Sequence, residues 1–107
     1  MTSQGTPYGR FRRALQTGNL QLVRAAASEL PVIRLDDALR VCLLIRDRDP
    51  DRYERAALRW VGRFALEAST ATLADVRAAA DALARLPTAA DDAMSDLQRL
   101  CVSHGLG

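Results

Sequence analysis

Four arginine residues in the middle of the chain recur at the spacing of one helix face. Arg52, Arg55, Arg59 and Arg63 follow one another at intervals of three, four and four residues. Positions separated in this way lie on the same side of a helix. Guanidinium groups stay charged and offer planar, paired donors to carboxylates and phosphates. The pattern therefore predicts a surface, the arginine stripe, that could bind an acidic protein partner or a nucleic acid.

The same spacing gives most of the arginine stripe an acidic neighbour. The pairs at helical ion-pair spacing are Asp49 with Arg52, Asp51 with Arg55, and Arg63 with Glu67. Exposed pairs of this kind stabilise a helix by only about 0.2–0.5 kcal/mol each, and a neutralised stripe would be an ordinary solvated face. Arg59 alone lacks such a neighbour, so both interpretations stay open.

Charge is distributed unevenly along the chain. The formal net charge is +2, but residues 1–63 contain twelve arginines against seven acidic residues, and residues 64–107 contain three against six. A DNA-binding helix-turn-helix formed by the last two predicted helices is disfavoured. The last one carries Asp91, Asp92 and Asp96 beside a single arginine, and phosphates would repel it. If nucleic acid binds, we expect it on the arginine stripe.

Other chemistry has little support in this composition. The chain has one histidine, no lysine and no glycine-rich phosphate loop, so we expect no enzyme. Cys101 and His104 stand three residues apart and Cys42 is the other cysteine, but two ligands from one helical turn do not make a metal site. Both cysteines lie in apolar helical patterns and are predicted to be reduced, buried thiols. We expect no metal and no other cofactor.

The elements that must position these residues are predicted to be helices throughout. Apolar residues recur every three or four positions, and no run of five or more residues alternates with period two. The six predicted helices cover residues 8–16, 20–30, 35–48, 50–68, 73–86 and 89–105. Their short connections favour three antiparallel hairpins.

Capping residues and helix breakers set the predicted boundaries. Gly18 and Pro31 end the first two helices, and Asp36 and Asp37 favour the start of the third by opposing the helix dipole. The predicted N-caps are Asn19, Asp49, Thr72 and Thr88, with Asp75 and Asp91 completing capping boxes behind the two threonines.

Helical periodicity also separates the predicted core from the surface. On the fourth helix the core stripe is Tyr53, Ala57, Trp60, Val61 and Phe64. On the fifth helix the inward residues are Leu73, Val76, Ala80 and Leu83. Asp37 and Leu44 fall outside the apolar arc of the third helix, and Leu58 falls outside that of the fourth. The two outlying leucines motivate a hypothesis of self-association.

Two stretches of the chain resemble known helical proteins. Residues 14–27, Ala-Leu-Gln-Thr-Gly-Asn-Leu-Gln-Leu-Val-Arg-Ala-Ala-Ala, look like a single ankyrin-type helical hairpin, without the Thr-Pro-Leu-His opening or a second copy about 33 residues on. Residues 49–60, Asp-Pro-Asp-Arg-Tyr-Glu-Arg-Ala-Ala-Leu-Arg-Trp, followed by Arg63-Phe64, Glu67 and Thr72-Leu73-Ala74-Asp75, resemble small all-helical proteins of high-GC actinobacteria whose function is uncharacterised. This second resemblance implies an intact helical domain and no particular mechanism.

Together these patterns predict an all-α protein with a compact single domain of about six short antiparallel helices. The domain covers residues 7–105 and follows a disordered segment at residues 1–6. Neither a membrane-spanning stretch nor a secretory signal is evident, so we expect a cytoplasmic protein. We predict a non-catalytic interaction module that binds a protein partner or itself and no membrane. The alternative is a small nucleic-acid-associated regulator that uses Arg52, Arg55, Arg59 and Arg63.

Overall fold

Helices make up all the regular structure that the computed structural model describes, which covers residues 5–106. The six α-helices are α1 (Pro7–Thr17), α2 (Leu20–Ala27), α3 (Leu35–Arg48), α4 (Tyr53–Glu67), α5 (Leu73–Arg85) and α6 (Ala90–Ser103). A short 3₁₀ turn, Pro50–Arg52, precedes α4. Residues 5–106 contain no strand. The predicted all-α class with six helices is confirmed.

A boundary between Ile33 and Arg34 divides the chain into two compact units. In the first unit α1 packs against α2. In the second unit α3 packs against α4 and α5 against α6, while α4 also contacts α5 and α3 also contacts α6. The three predicted hairpins are therefore present, and the single domain over residues 7–105 stays a prediction. Residues 1–4 of the predicted disordered segment lie outside the described part of the chain.

Side-chain caps define the first hairpin. The Thr6 hydroxyl accepts a hydrogen bond from the Gly9 backbone N–H at 2.9 Å and begins α1, and Gly18 ends it with a φ of 70°. The Asn19 side chain accepts from the Leu22 N–H at 3.2 Å, as predicted, and begins α2. The left-handed conformation at position 18 favours glycine, which explains the tight turn between the helices.

The second helix is shorter than predicted. It ends at Ala27 instead of Leu30, and the Glu29 and Leu30 N–H groups bond to carbonyl groups three residues back. Such bonds tighten the chain into turns after the last α-helical residue. Pro31 contributes to this early end because a residue that precedes proline avoids the α conformation.

The predicted caps of the second unit are correct only at α5. There the Thr72 hydroxyl accepts from the Asp75 N–H at 3.1 Å, and the Asp75 carboxylate accepts from the Thr72 N–H at 3.0 Å. Asp49 does not cap a helix, because its carboxylate pairs with Arg52 at 3.3 Å and the chain forms the 3₁₀ turn before α4. Thr88 does not cap α6, because its hydroxyl donates to the Arg85 carbonyl at 3.3 Å.

The aromatic stripe of α4 forms the core of the second unit, as predicted. Trp60 and Phe64 are buried, and their rings stack with centroids 5.6 Å apart. The Trp60 indole N–H donates to the Leu35 carbonyl of α3 at 2.9 Å. The buried Tyr53 hydroxyl donates to the Leu83 carbonyl of α5 at 2.6 Å. These two bonds fix the rotation of α4 about its axis, and so determine which residues form its outer side.

The packing face of α5 differs from the predicted one. Leu73 is 88% exposed and Ala80 is exposed as well, whereas Leu83 is buried as predicted. The buried face consists of Ala79, Ala82 and Leu83, with Leu86 immediately after the helix. Small alanine side chains let helix backbones approach closely, and this favours the alanine-rich side over the side that carries Leu73.

Asp37 is buried, although the sequence pattern placed it outside the apolar arc of α3. Its side chain is 1% exposed and accepts a hydrogen bond from the Arg40 guanidinium at 3.1 Å. A carboxylate can be buried when a paired charge offsets its lost hydration. Leu44, the other predicted outlier of α3, is partly buried.

Candidate interaction face

The arginine stripe is shorter than predicted. Arg52 lies in the 3₁₀ turn, so only Arg55, Arg59 and Arg63 share α4. Arg52 pairs with Asp49, as its spacing predicted. Arg63 donates to the Glu67 carboxylate at 2.9 Å, also as its spacing predicted, and its side chain is only 27% exposed. Both ends of the predicted stripe are therefore held in local ion pairs.

Arg55 and Arg59 are exposed and have no ion pair or hydrogen bond within residues 5–106. The predicted pair between Asp51 and Arg55 is not formed. Asp51 lies in the 3₁₀ turn before α4, so the two residues do not share one continuous α-helix, which the predicted spacing assumed. The two central arginines thus offer guanidinium groups whose donors are free to bind a partner.

The charge of Arg59 also acts on a buried group of the neighbouring helix α3. Burial raises the pKa of the Cys42 thiol to about 11, and the nearby Arg59 guanidinium opposes this rise by favouring the thiolate. Cys42 is 4% exposed and lies on α3. Arg59 is therefore near enough to α3 to influence Cys42, while its side chain remains exposed to solvent.

Two leucines and a glycine lie beside these arginines on the same side of α4. Leu58 is 61% exposed and Leu66 is 86% exposed, and Gly62 stands midway between them. A Cβ atom added to Gly62 would meet nothing within 4 Å. We call this surface the outer face of α4. It consists of Arg55, Leu58, Arg59, Gly62 and Leu66.

Sequence reasoning found only part of the outer face. It predicted that Leu58 points away from the core, and this is confirmed. It missed Gly62 and Leu66, although positions 58, 62 and 66 are spaced by four residues and lie opposite the aromatic stripe. Spacing by four is the available signal, because residues so related form one ridge along a helix.

A second polar cluster ties together the ends of three helices. The Thr70 hydroxyl lies 2.9 Å from Nδ1 of His104, and the Asp75 carboxylate lies 3.1 Å from Nε2. The His104 ring also meets the buried Phe64 edge-on, with centroids 5.7 Å apart. His104 directly follows the last residue of α6. Its side chain is only 11% exposed, because the end of α6 is bonded to the connection between α4 and α5.

The order hydroxyl, imidazole and carboxylate also occurs in nucleophilic active sites. Here the carboxylate of Asp75 belongs to the capping box of α5. The Thr72 backbone N–H is the main reason that the pKa of Asp75 lies below its ordinary value. Since the cluster secures a helix start and a helix end, its three side chains are accounted for by structural contacts.

Neither cysteine forms part of a metal site in residues 5–106. No group of three or more histidine, cysteine or acidic residues in this range is placed to hold a metal ion. Cys42 and Cys101 are free and buried, as predicted. Both ring nitrogens of His104 are already bonded, so the spacing between Cys101 and His104 has a structural explanation.

An open groove between α5 and α6 is a further concave surface, lined in part by Ala78, Leu100 and Ser103. Three of its four charged side chains bond to one another, and Asp81 is the fourth. Asp96 accepts from Arg85 at 2.8 Å and from Arg99 at 2.6 Å. The hydrogen bond from Arg85 is the main reason that the pKa of Asp96 lies below its ordinary value. Because both arginines of the groove already pair with Asp96, the groove is a weaker binding candidate than the outer face of α4.

Comparison of the chain with protein families, with curated proteins and with solved structures gave no match. Among residues 5–106, no helix combines the length and the apolar character that crossing a membrane requires. The outer face of α4 is therefore the surface of the described residues that best supports a function.

Proposed function

We propose that the protein is a non-catalytic interaction module that binds another protein through the outer face of α4. The observation that carries the proposal is the exposure of Leu58 and Leu66 next to two arginines without ion pairs. Burial of a leucine side chain is worth about 1.5–3 kcal/mol, whereas a solvated salt bridge contributes about 0–1 kcal/mol. Apolar contact would thus supply most of the affinity, and the arginines would add specificity.

Nucleic acid fits the outer face of α4 less well. Arg52 and Arg63 are held by Asp49 and Glu67, which leaves two central guanidinium groups to neutralise phosphates. Two phosphate contacts correspond to a slope of about −2 in log affinity against log salt, which is small beside that of a typical DNA-binding protein. Two exposed leucines on the same side would gain nothing from a phosphate backbone.

Photocrosslinking in cells that naturally make the protein tests the proposal. A photoreactive residue replaces Leu66 in one variant and Val102 of α6 in a matched control, since both positions carry exposed apolar side chains. We expect discrete protein adducts from position 66 and none of the same mass from position 102. Adding Arg55→Gln and Arg59→Gln to the Leu66 variant should weaken the adducts if the outer face of α4 makes the contact.

The adducts separate the competing possibilities. An adduct of twice the chain mass would identify self-association, and a nuclease-sensitive adduct would establish the nucleic-acid alternative instead. Identical adducts from positions 66 and 102 would show that the outer face of α4 is not the binding surface. The absence of adducts from position 66 would count against the proposal.

A further inference from the structure

We infer that the partner of the outer face of α4 is an acidic amphipathic helix of another protein, in preference to an antiparallel second copy of this chain. This inference rests on the proposed function and names the chemistry of its partner. Two features carry it, namely the shape of the apolar row and the position of the two arginines without ion pairs.

The shape of the apolar row suits a helix. Leu58, Gly62 and Leu66 span about 12 Å at 1.5 Å per residue, with a large side chain at each end and open space at the centre. Rows of residues spaced by four form the ridges that pack between the ridges of a second helix. A large apolar side chain of the partner would fit over Gly62, between the two leucines.

The arginines give the outer face of α4 a charged side. Arg55 and Arg59 are four residues apart, so their Cα atoms are separated by about 6 Å along the helix axis. Glu54, the exposed acidic residue nearest to them in sequence, lies on the opposite side of the leucine row by helical geometry. A partner helix with two carboxylates four residues apart would therefore match both guanidinium groups on one side.

An antiparallel second copy would place like charges together. If two α4 helices packed antiparallel about Gly62, the two Arg59 residues would be six positions apart, about 9 Å along the axis. Arg55 and Arg59 of both copies would then lie on the same side of the paired leucine rows. This separation is comparable with the screening length of about 8–10 Å in physiological salt, so the guanidinium groups would repel one another. Leu58 and Leu66 alone would have to overcome that repulsion.

Two synthetic helical peptides test the inference with the full-length protein. Both carry three leucines spaced by four residues, and one has two glutamates four residues apart on one side where the other has glutamines. We expect the glutamate peptide to bind at least about fivefold more tightly at low salt. The Arg55→Gln, Arg59→Gln double variant should remove this preference. Arg77→Gln, which alters an exposed arginine of α5, should preserve it.

Amide chemical shifts of the ¹⁵N-labelled protein locate the binding site in the same titrations. Changes centred on residues 55–66, together with the glutamate preference, support the inference. Equal affinity for the two peptides overturns the acidic partner but leaves the outer face of α4 as a binding surface. Binding of neither peptide overturns the inference, and sedimentation then decides the rest. A dimer would assign the outer face of α4 to a second copy, and a monomer would remove helical partners from the proposed function.

Discussion

The two cysteines should be protected from modification in the native protein by their burial and by the raised pKa of their thiols. Cys42 is 4% exposed and Cys101 is 2% exposed. Burial raises the pKa of each thiol from an ordinary value of 9.0 to about 11, and for Cys101 the carboxylates of Asp36 and Glu67 add to the effect. Only the thiolate reacts with disulfide reagents, so a pKa difference of this size lowers the reactive fraction about 100-fold.

At pH 8 a thiol with the ordinary pKa is about one-tenth thiolate, whereas a thiol with a pKa near 11 is about one-thousandth thiolate. We expect an aromatic disulfide reagent to modify the native protein at least about 100-fold more slowly than the guanidine-unfolded chain. Steric protection should slow the reaction further. The variants Cys42→Ala and Cys101→Ala assign the two rates. A native thiol that reacts within tenfold of the unfolded rate would show that its helix is not packed as described.

Two further outcomes test the contacts of the second unit. Tyr53→Phe should lower the free energy of unfolding by about 0.5–1.5 kcal/mol, because it removes the hydrogen bond to the Leu83 carbonyl. Urea titration measures the free energy of unfolding, with Tyr8→Phe, at an exposed position, as the control. An equal loss of stability in both variants would contradict the prediction. The pKa of Asp75 lies below its ordinary value of 3.8, so its stabilising contribution is present above that pH and is lost as the pH falls further. Thermal melts from pH 6 to pH 2 should show this loss, and Asp75→Asn should reduce it; an unchanged pH dependence in that variant would rule out the Asp75 contribution.

The sequence predicts the helices well where local interactions decide the structure. The capping box of Thr72 and Asp75 and the tight turn at Gly18 both depend on residues within a few positions of each other. The aromatic stripe of α4 could also be predicted from the sequence, because Trp60 and Phe64 are large apolar residues at helical spacing.

The remaining features depend on competition between local options or on distant contacts. Pro50 favours the first turn of an α-helix and a 3₁₀ turn alike, so the position of Arg52 could not be fixed from sequence. His104 contacts Asp75 and Thr70, which precede it by 29 and 34 positions, and no local sequence pattern encodes these contacts. The packing face of α5 depends on which side of the helix meets α4 and α6. Periodicity alone favoured the side with Leu73, because leucine is larger than the alanines of the face that is buried.

The buried indole of Trp60 makes the second unit optically distinct from the first. Trp60 is the only tryptophan in the chain, and it lies in the core formed after the boundary at Arg34. Its fluorescence therefore reports on the unfolding of that unit, whereas far-ultraviolet circular dichroism reports on the helices of both units. Coincident denaturation curves from the two signals would indicate that the units unfold as one cooperative structure. Separated curves would indicate that each unit unfolds on its own.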